Sequence, residues 1–188
     1  MNTVFRCAAM VFILFSAAGC GKRLNEATTL PVGIKTGNIY YTQVSLQYEK
    51  GRHLTTNYRK GTLVPINTQV QLQEITNDDI MLEILPAHSK LRIENVEKHT
   101  GDKVTQAFNK LFGKNKVDLG RFSSAEREYI ASGRVGKGMT KKAVIAAIGY
   151  PPITETPSLE GNEWTYWSSR FNRFIVKFQN DKVAQVQD

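Results

Sequence analysis

The chain has 188 residues, 41% hydrophobic and 22% charged, a balance that excludes a disordered chain and a multi-spanning helical membrane protein. Its 25 Lys and Arg outnumber 17 Asp and Glu, for a formal net charge of +8, which points to an anionic partner of some kind. Two cysteines exclude a disulfide-rich scaffold and a zinc site built on several cysteines.

In chain order, Arg6 is followed by an apolar run over residues 7–19, shorter than the roughly 20 residues a membrane-spanning helix needs. A basic start, a short apolar core and a small-residue end read as an export signal. Ala17-Ala18-Gly19-Cys20 resembles the lipobox of bacterial lipoproteins. That resemblance implies cleavage before Cys20, lipidation of its sulfur and acylation of the new amino group. Cys7 leaves with the signal, so a thiol nucleophile is excluded. Cys20 is followed by Gly21 and Lys22 rather than Asp, which implies the periplasmic face of the outer membrane, where nucleic acid is not an expected partner.

Residues 20–37 carry threonines, glycines and Pro31 and read as a tether. From residue 38 the pattern is strand-like. Val70, Leu72 and Glu74 alternate with Gln71, Gln73 and Ile75, and Ile80, Leu82 and Ile84 follow the turn Thr76-Asn77-Asp78-Asp79. Leu91 and Ile93 alternate again. Residues 38–98 are therefore expected to form a small β-barrel or sandwich. The run Gly61-Thr62-Leu63-Val64-Pro65-Ile66-Asn67-Thr68 resembles a segment of bacterial SH3-like barrels, with Asn67 where Gly is usual. Tyr40, Tyr41, Tyr48 and Tyr58, with Thr55-Thr56-Asn57, either line a groove on this barrel or belong to its core.

Residues 99–122 read as a connecting helix and linker: Val104, Ala107, Phe108, Leu111 and Phe112 share one helical face, with Gly113 as a left-handed cap. Residues 123–188 then give two helices and three strands. Ser123 and Glu126 form a capping box for a helix over 123–132, and Thr140 caps a second over 141–148 that Gly149 and Pro151-Pro152 stop. Strands are expected over 163–167, 173–178 and 182–186, with Asn180-Asp181 as the hairpin turn between the last two. The fold class is α+β, with two helices on one face of an antiparallel sheet.

Gly138-Met139-Thr140, Val144, Ile148-Gly149, Pro151, Trp164-Thr165-Tyr166, Phe178 and Val183 resemble the SmpA/OmlA (BamE-like) family of outer-membrane lipoproteins. The match covers residues 123–188 and rests on residues that build the fold. It implies a non-enzymatic adaptor or scaffold in envelope or outer-membrane protein assembly or integrity, with envelope proteins as partners. The same two-helix and sheet unit also resembles the repeats of β-lactamase inhibitory proteins, an inhibitor-like binding role. A further alternative is a periplasmic module that binds peptidoglycan or a peptide on the SH3-like unit.

Candidate chemistry is sparse. The segment Gly133-Arg134-Val135-Gly136-Lys137-Gly138-Met139-Thr140 does not place Lys and Ser or Thr directly after its last glycine, so it is no phosphate loop. His53, His88 and His99 lack metal-ligand spacing and read as surface loop residues. No catalytic residue, metal or cofactor is expected. Trp164, Tyr166, Phe174, Val176 and Phe178 share the face under the helices, whereas Trp167, Arg173, Ile175 and Lys177 face away and Arg170 and Phe171 lie in the intervening turn. Trp167, Arg170, Phe171 and Arg173, with Lys137, Lys141 and Lys142 of the helix pair, are the expected partner-binding residues, and Cys20 is the lipidation site. The basic excess is local: residues 90–142 carry 13 basic and 6 acidic groups, a solvated face or a contact with anionic lipid.

Overall fold

The computed structural model describes residues 30, 31, 33–85 and 87–188, so the expected signal segment and the expected lipidation site Cys20 lie outside the described residues. The chain folds as α+β around two hydrophobic clusters. Strands β1 (Ile39–Thr42), β2 (Leu46–Tyr48), β3 (Arg52–Leu54), β4 (Thr62–Val64), β5 (Gln69–Ile75), β6 (Asp79–Ile84) and β7 (Ser89–Glu94) come first. Helices α1 (Glu97–Thr100) and α2 (Val104–Leu111) and the two-residue strand β8 (Phe112–Gly113) follow. A curled six-stranded sheet runs in the order β3-β7-β6-β5-β1-β8, while β2 and β4 pair separately. All its pairings are antiparallel except β3 with β7.

The alternation in β5 does not run through unbroken. A register shift between Leu72 and Glu74 inserts Gln73 as an extra residue opposite β6. The bulge changes the phase of the pleat, so Ile75, rather than Glu74, joins Val70 and Leu72 in the core.

The segment expected to connect two units belongs to the first. Val104, Phe108 and Leu111 of α2 pack into the same cluster as Val70, Leu82 and Leu91. Phe108 meets Tyr40 edge-on, with ring centroids 5.0 Å apart. Gly113 is not a helix cap. The helix ends at Leu111, Phe112 is already extended (φ −134°), and Gly113 pairs with Tyr41 in the sheet. A side chain there would meet the Gln43 amide, whose Nε2 would lie 2.7 Å from the added Cβ.

The second cluster holds α3 (Ser124–Ser132), α4 (Lys141–Ile148) and a sheet of β9 (Glu163–Trp167), β10 (Arg173–Gln179) and β11 (Lys182–Gln187), paired in chain order. Its punctuation is as expected. Asn180 and Asp181 both take positive φ (53° and 59°), the requirement of the tight turn that suits sheet twist. Gly149 closes α4 at φ 88°, ψ −173°, a region open essentially to glycine alone.

The two clusters interlock. Tyr58 and Ile66, from the first half of the chain, are buried in the second cluster. Tyr58 lies edge-on to Tyr166 at 4.8 Å and donates to the Tyr150 carbonyl at 2.9 Å. Buried Ser45 donates its N–H to the Ala146 carbonyl and its hydroxyl to the Ile130 carbonyl, the C-terminal ends of α4 and α3. Its hydroxyl in turn accepts from Ile66 N.

Candidate functional site

The local rules that build β9 and β10 also fix what their hairpin displays. Trp164, Tyr166, Phe174, Val176 and Phe178 are buried, so the alternate residues Trp167, Arg173, Ile175 and Lys177 are carried on the other face. The buried face is covered by the helices and also by the first half of the chain, since Tyr58 packs on Tyr166 and the Arg59 guanidinium lies 3.4 Å from the Phe174 ring centroid. Ser169 closes the hairpin tip, its hydroxyl accepting from the N–H groups of Phe171 and Asn172. Phe171 is 78% exposed, the most exposed of the large hydrophobic residues among those described, and Arg170 beside it is also exposed.

Trp167 is held in place. Arg173 stacks over its ring at 4.2 Å, and Glu155 grips the Arg173 guanidinium through two hydrogen bonds of 2.8 and 2.9 Å. The His99 ring of α1 sits 5.6 Å from the Trp167 ring. The Trp167 indole N–H is buried and has no acceptor among the described residues. Such a donor costs about 1–3 kcal/mol until an acceptor meets it.

Trp167 forms part of the wall of a cleft of about 590 Å³ between the hairpin and the first sheet. Arg52 and Leu54 of β3, the loop residues Asn57 and Lys60, and Lys98 beside His99 in α1 also line it. Arg52 is paired with Glu94 at 3.1 Å. The volume falls in the range of sites that accept a small ligand or a few residues of a peptide.

A second, smaller cavity of about 110 Å³ lies between the two clusters, lined by Leu46, His53, Tyr58, Leu111, Ile148 and Pro151 among others. His53 was expected on the surface and is instead buried in β3. Its Nδ1–H donates to the Gln47 carbonyl at 2.8 Å, leaving Nε2 unprotonated. Burial lowers the His53 pKa from 6.5 to about 4, against the opposing effect of that hydrogen bond.

Of the expected partner-binding residues, the structure brings Trp167, Arg170, Phe171 and Arg173 together on the hairpin and its flank. Lys137 and Lys142 are exposed at the start of α4. Lys141 is turned to a structural use: its side chain is half-buried over Trp164 and Phe178, pairs with Asp181 at 3.2 Å and donates to the Glu160 carbonyl. The tyrosines form no single groove. Tyr40 and Tyr58 are buried in different clusters, and Tyr41 and Tyr48 are half-buried. Lys60 and Lys98 carry no sequence signal for their place in the cleft, because only tertiary packing brings them to the same cavity as Trp167.

At the start of the helix pair, Glu126 joins α3 to α4. Its carboxylate accepts from Ser123 N and Oγ at 2.9 Å, from Thr140 N at 2.9 Å and from Thr140 Oγ1 at 2.8 Å. Burial alone would raise its pKa, but the four donors outweigh it and hold the group at about 2. Met139 is buried beneath this junction and Gly138 turns into it at φ 89°. Comparisons with protein-family models, curated proteins and solved structures give no match.

Proposed function

We propose that the chain is a non-enzymatic lipoprotein, anchored through Cys20 to the periplasmic face of the bacterial outer membrane, that serves as an adaptor or scaffold in envelope assembly or integrity. In this reading residues 38–98 form an SH3-like unit and residues 123–188 an SmpA/OmlA-like one. The carrying observation is the braced Trp167 on the wall of a cleft, next to an exposed Arg170-Phe171 tip. Fixed aromatic and arginine side chains are what protein interfaces use as anchors, because little rotamer freedom is lost when they dock. The Gly138-Met139-Thr140 turn, with Met139 packed beneath α4 and Thr140 capping it, supports the family resemblance.

Crosslinking in native membranes followed by identification of the neighbours tests this reading. Envelope proteins are expected, and a Cys20→Ala variant is expected to lose its outer-membrane fractionation. Recovery of the chain as a lone species, or unchanged fractionation of the variant, would overturn it.

A second reading is favoured by the cleft's volume and polar walls, which would also suit a peptidoglycan fragment. Sedimentation of the purified chain with isolated sacculi would support it. Failure to sediment, with partner crosslinks intact, would remove it.

A further inference from the structure

We propose that the cleft beside Trp167 seats an acidic, extended peptide segment of the protein partner. This deepens the adaptor reading and rests on it for the partner's existence, while the cleft itself supplies the partner's chemistry.

Charge comes first. Arg52, Lys60, Lys98 and Arg170 line the cleft against Glu49 and Glu94. Glu94 is already matched by Arg52. Lys60, Lys98 and Arg170 form no ion pair among the described residues, whereas Arg52, Arg92, Lys110, Lys141 and Arg173 all do. The lining thus carries four basic groups against two acidic ones within a single concavity. Such a cleft focuses an attractive field for an anion and raises its rate of association.

The remaining wall chemistry selects among anions. Trp167 contributes aromatic surface to the wall. Leu54 and Val96 add apolar surface for an aliphatic side chain between acidic ones. A neutral glycan would leave the three cations unmatched. A flat bilayer surface cannot enter a concavity walled on two sides. An extended chain can, offering carboxylates to the cations and an aliphatic side chain to Leu54, Val96 and the Trp167 ring at once.

The two tryptophans provide the readout. Trp164 is buried in the core and Trp167 forms part of the cleft wall, so a ligand in the cleft changes the emission of Trp167 alone. The probe is acetyl-Gly-Asp-Glu-Leu-Asp-Glu-Gly-amide, titrated into the full chain in detergent. A saturable change in tryptophan emission is expected, weakening as salt is raised. The Lys98→Glu/Arg170→Glu double variant, altered only at exposed positions, is expected to unfold at the same temperature and bind about tenfold more weakly or worse. Trp167→Phe is expected to abolish the emission change, with residual binding followed by calorimetry.

An equal affinity for the same peptide with Lys in place of its acidic residues would overturn the proposal. So would an unaltered affinity in the double variant, or no binding by either emission or calorimetry. Binding of a disaccharide muropeptide or of anionic vesicles with this residue dependence, in place of the peptide, would also overturn it and name the true class. Crosslinking in membranes with the same double variant separates the two readings. A partner still captured while the peptide does not bind leaves the adaptor standing and removes the cleft. No partner for the unaltered chain removes the adaptor, and the titration still decides the cleft.

Discussion

In the second cluster β9, β10 and β11 pair with their chain neighbours, and α3 and α4 are capped by side chains within three residues of their starts. In the first cluster Tyr41 pairs with Gly113, β3 reaches β7 in parallel, and α2 closes the core from the far end of the segment. One half is built from short-range decisions, while the other adds long-range ones to its β5-β6-β7 meander. The difference does not make them independent, because the long-range half lends Tyr58 and Ile66 to the core of the short-range half. A locally specified module can thus depend on a distant one for part of its interior.

The most direct way to break this dependence is Tyr58→Ala. It removes the edge-on contact with Tyr166 and the hydrogen bond to Tyr150, and leaves a cavity where the two clusters meet. The expected loss is about 3–5 kcal/mol, read as a lower urea midpoint with the Trp164 emission and the helical signal moving together. A loss below about 1 kcal/mol would show the second cluster to be self-sufficient.

This division also decides what could be read from the sequence. The bounds of α4, the turn at Asn180-Asp181 and the pairing of the last three strands were legible, because each is set by residues a few positions apart. The strands β2, β3 and β4 have three residues each, too few to show a period, and the parallel partner of β3 lies about forty residues on. The bulge at Gln73 left alternation intact on paper and reversed it in space. Trp167 and Arg170 could be flagged from strand alternation and turn position, whereas Lys60 and Lys98, which line the same cleft, could not. The half-buried place of Lys141 was not legible for a related reason: a lysine's sequence position does not tell whether its stem lies along aromatic rings or in solvent.

Acid sharpens the comparison, since each half carries a titrating group with its own window. His53 in the first half is neutral when folded at neutral pH, and its pKa of about 4 lies below the unfolded value of 6.5. The unfolded chain therefore binds the proton first. The stability involved is fully present above pH 6.5 and is lost as the pH falls toward 4, by an amount on the order of 3 kcal/mol. Urea unfolding across this window is expected to show the slope, and His53→Gln is expected to flatten it. A variant that keeps the same slope would mean that another group titrates there.

Glu126 in the second half responds at lower pH. Its folded pKa of about 2 lies below the ordinary 4.5, so its contribution is present above pH 4.5 and is lost as the pH falls toward 2. Glu126→Gln keeps the shape but replaces one accepting oxygen with a donor amide, which then faces N–H and hydroxyl donors of either Ser123 or Thr140. The expected loss at neutral pH is on the order of 2 kcal/mol, since charge-assisted hydrogen bonds at a buried junction are replaced by an unsatisfied donor. The acid slope below pH 4.5 is expected to shrink in this variant while the slope between 6.5 and 4 is retained. If Glu126→Gln removed both slopes together, the carboxylate would be governing the environment of His53 as well. The two halves would then be coupled through α3 and α4, whose last turns accept hydrogen bonds from Ser45, as well as through Tyr58.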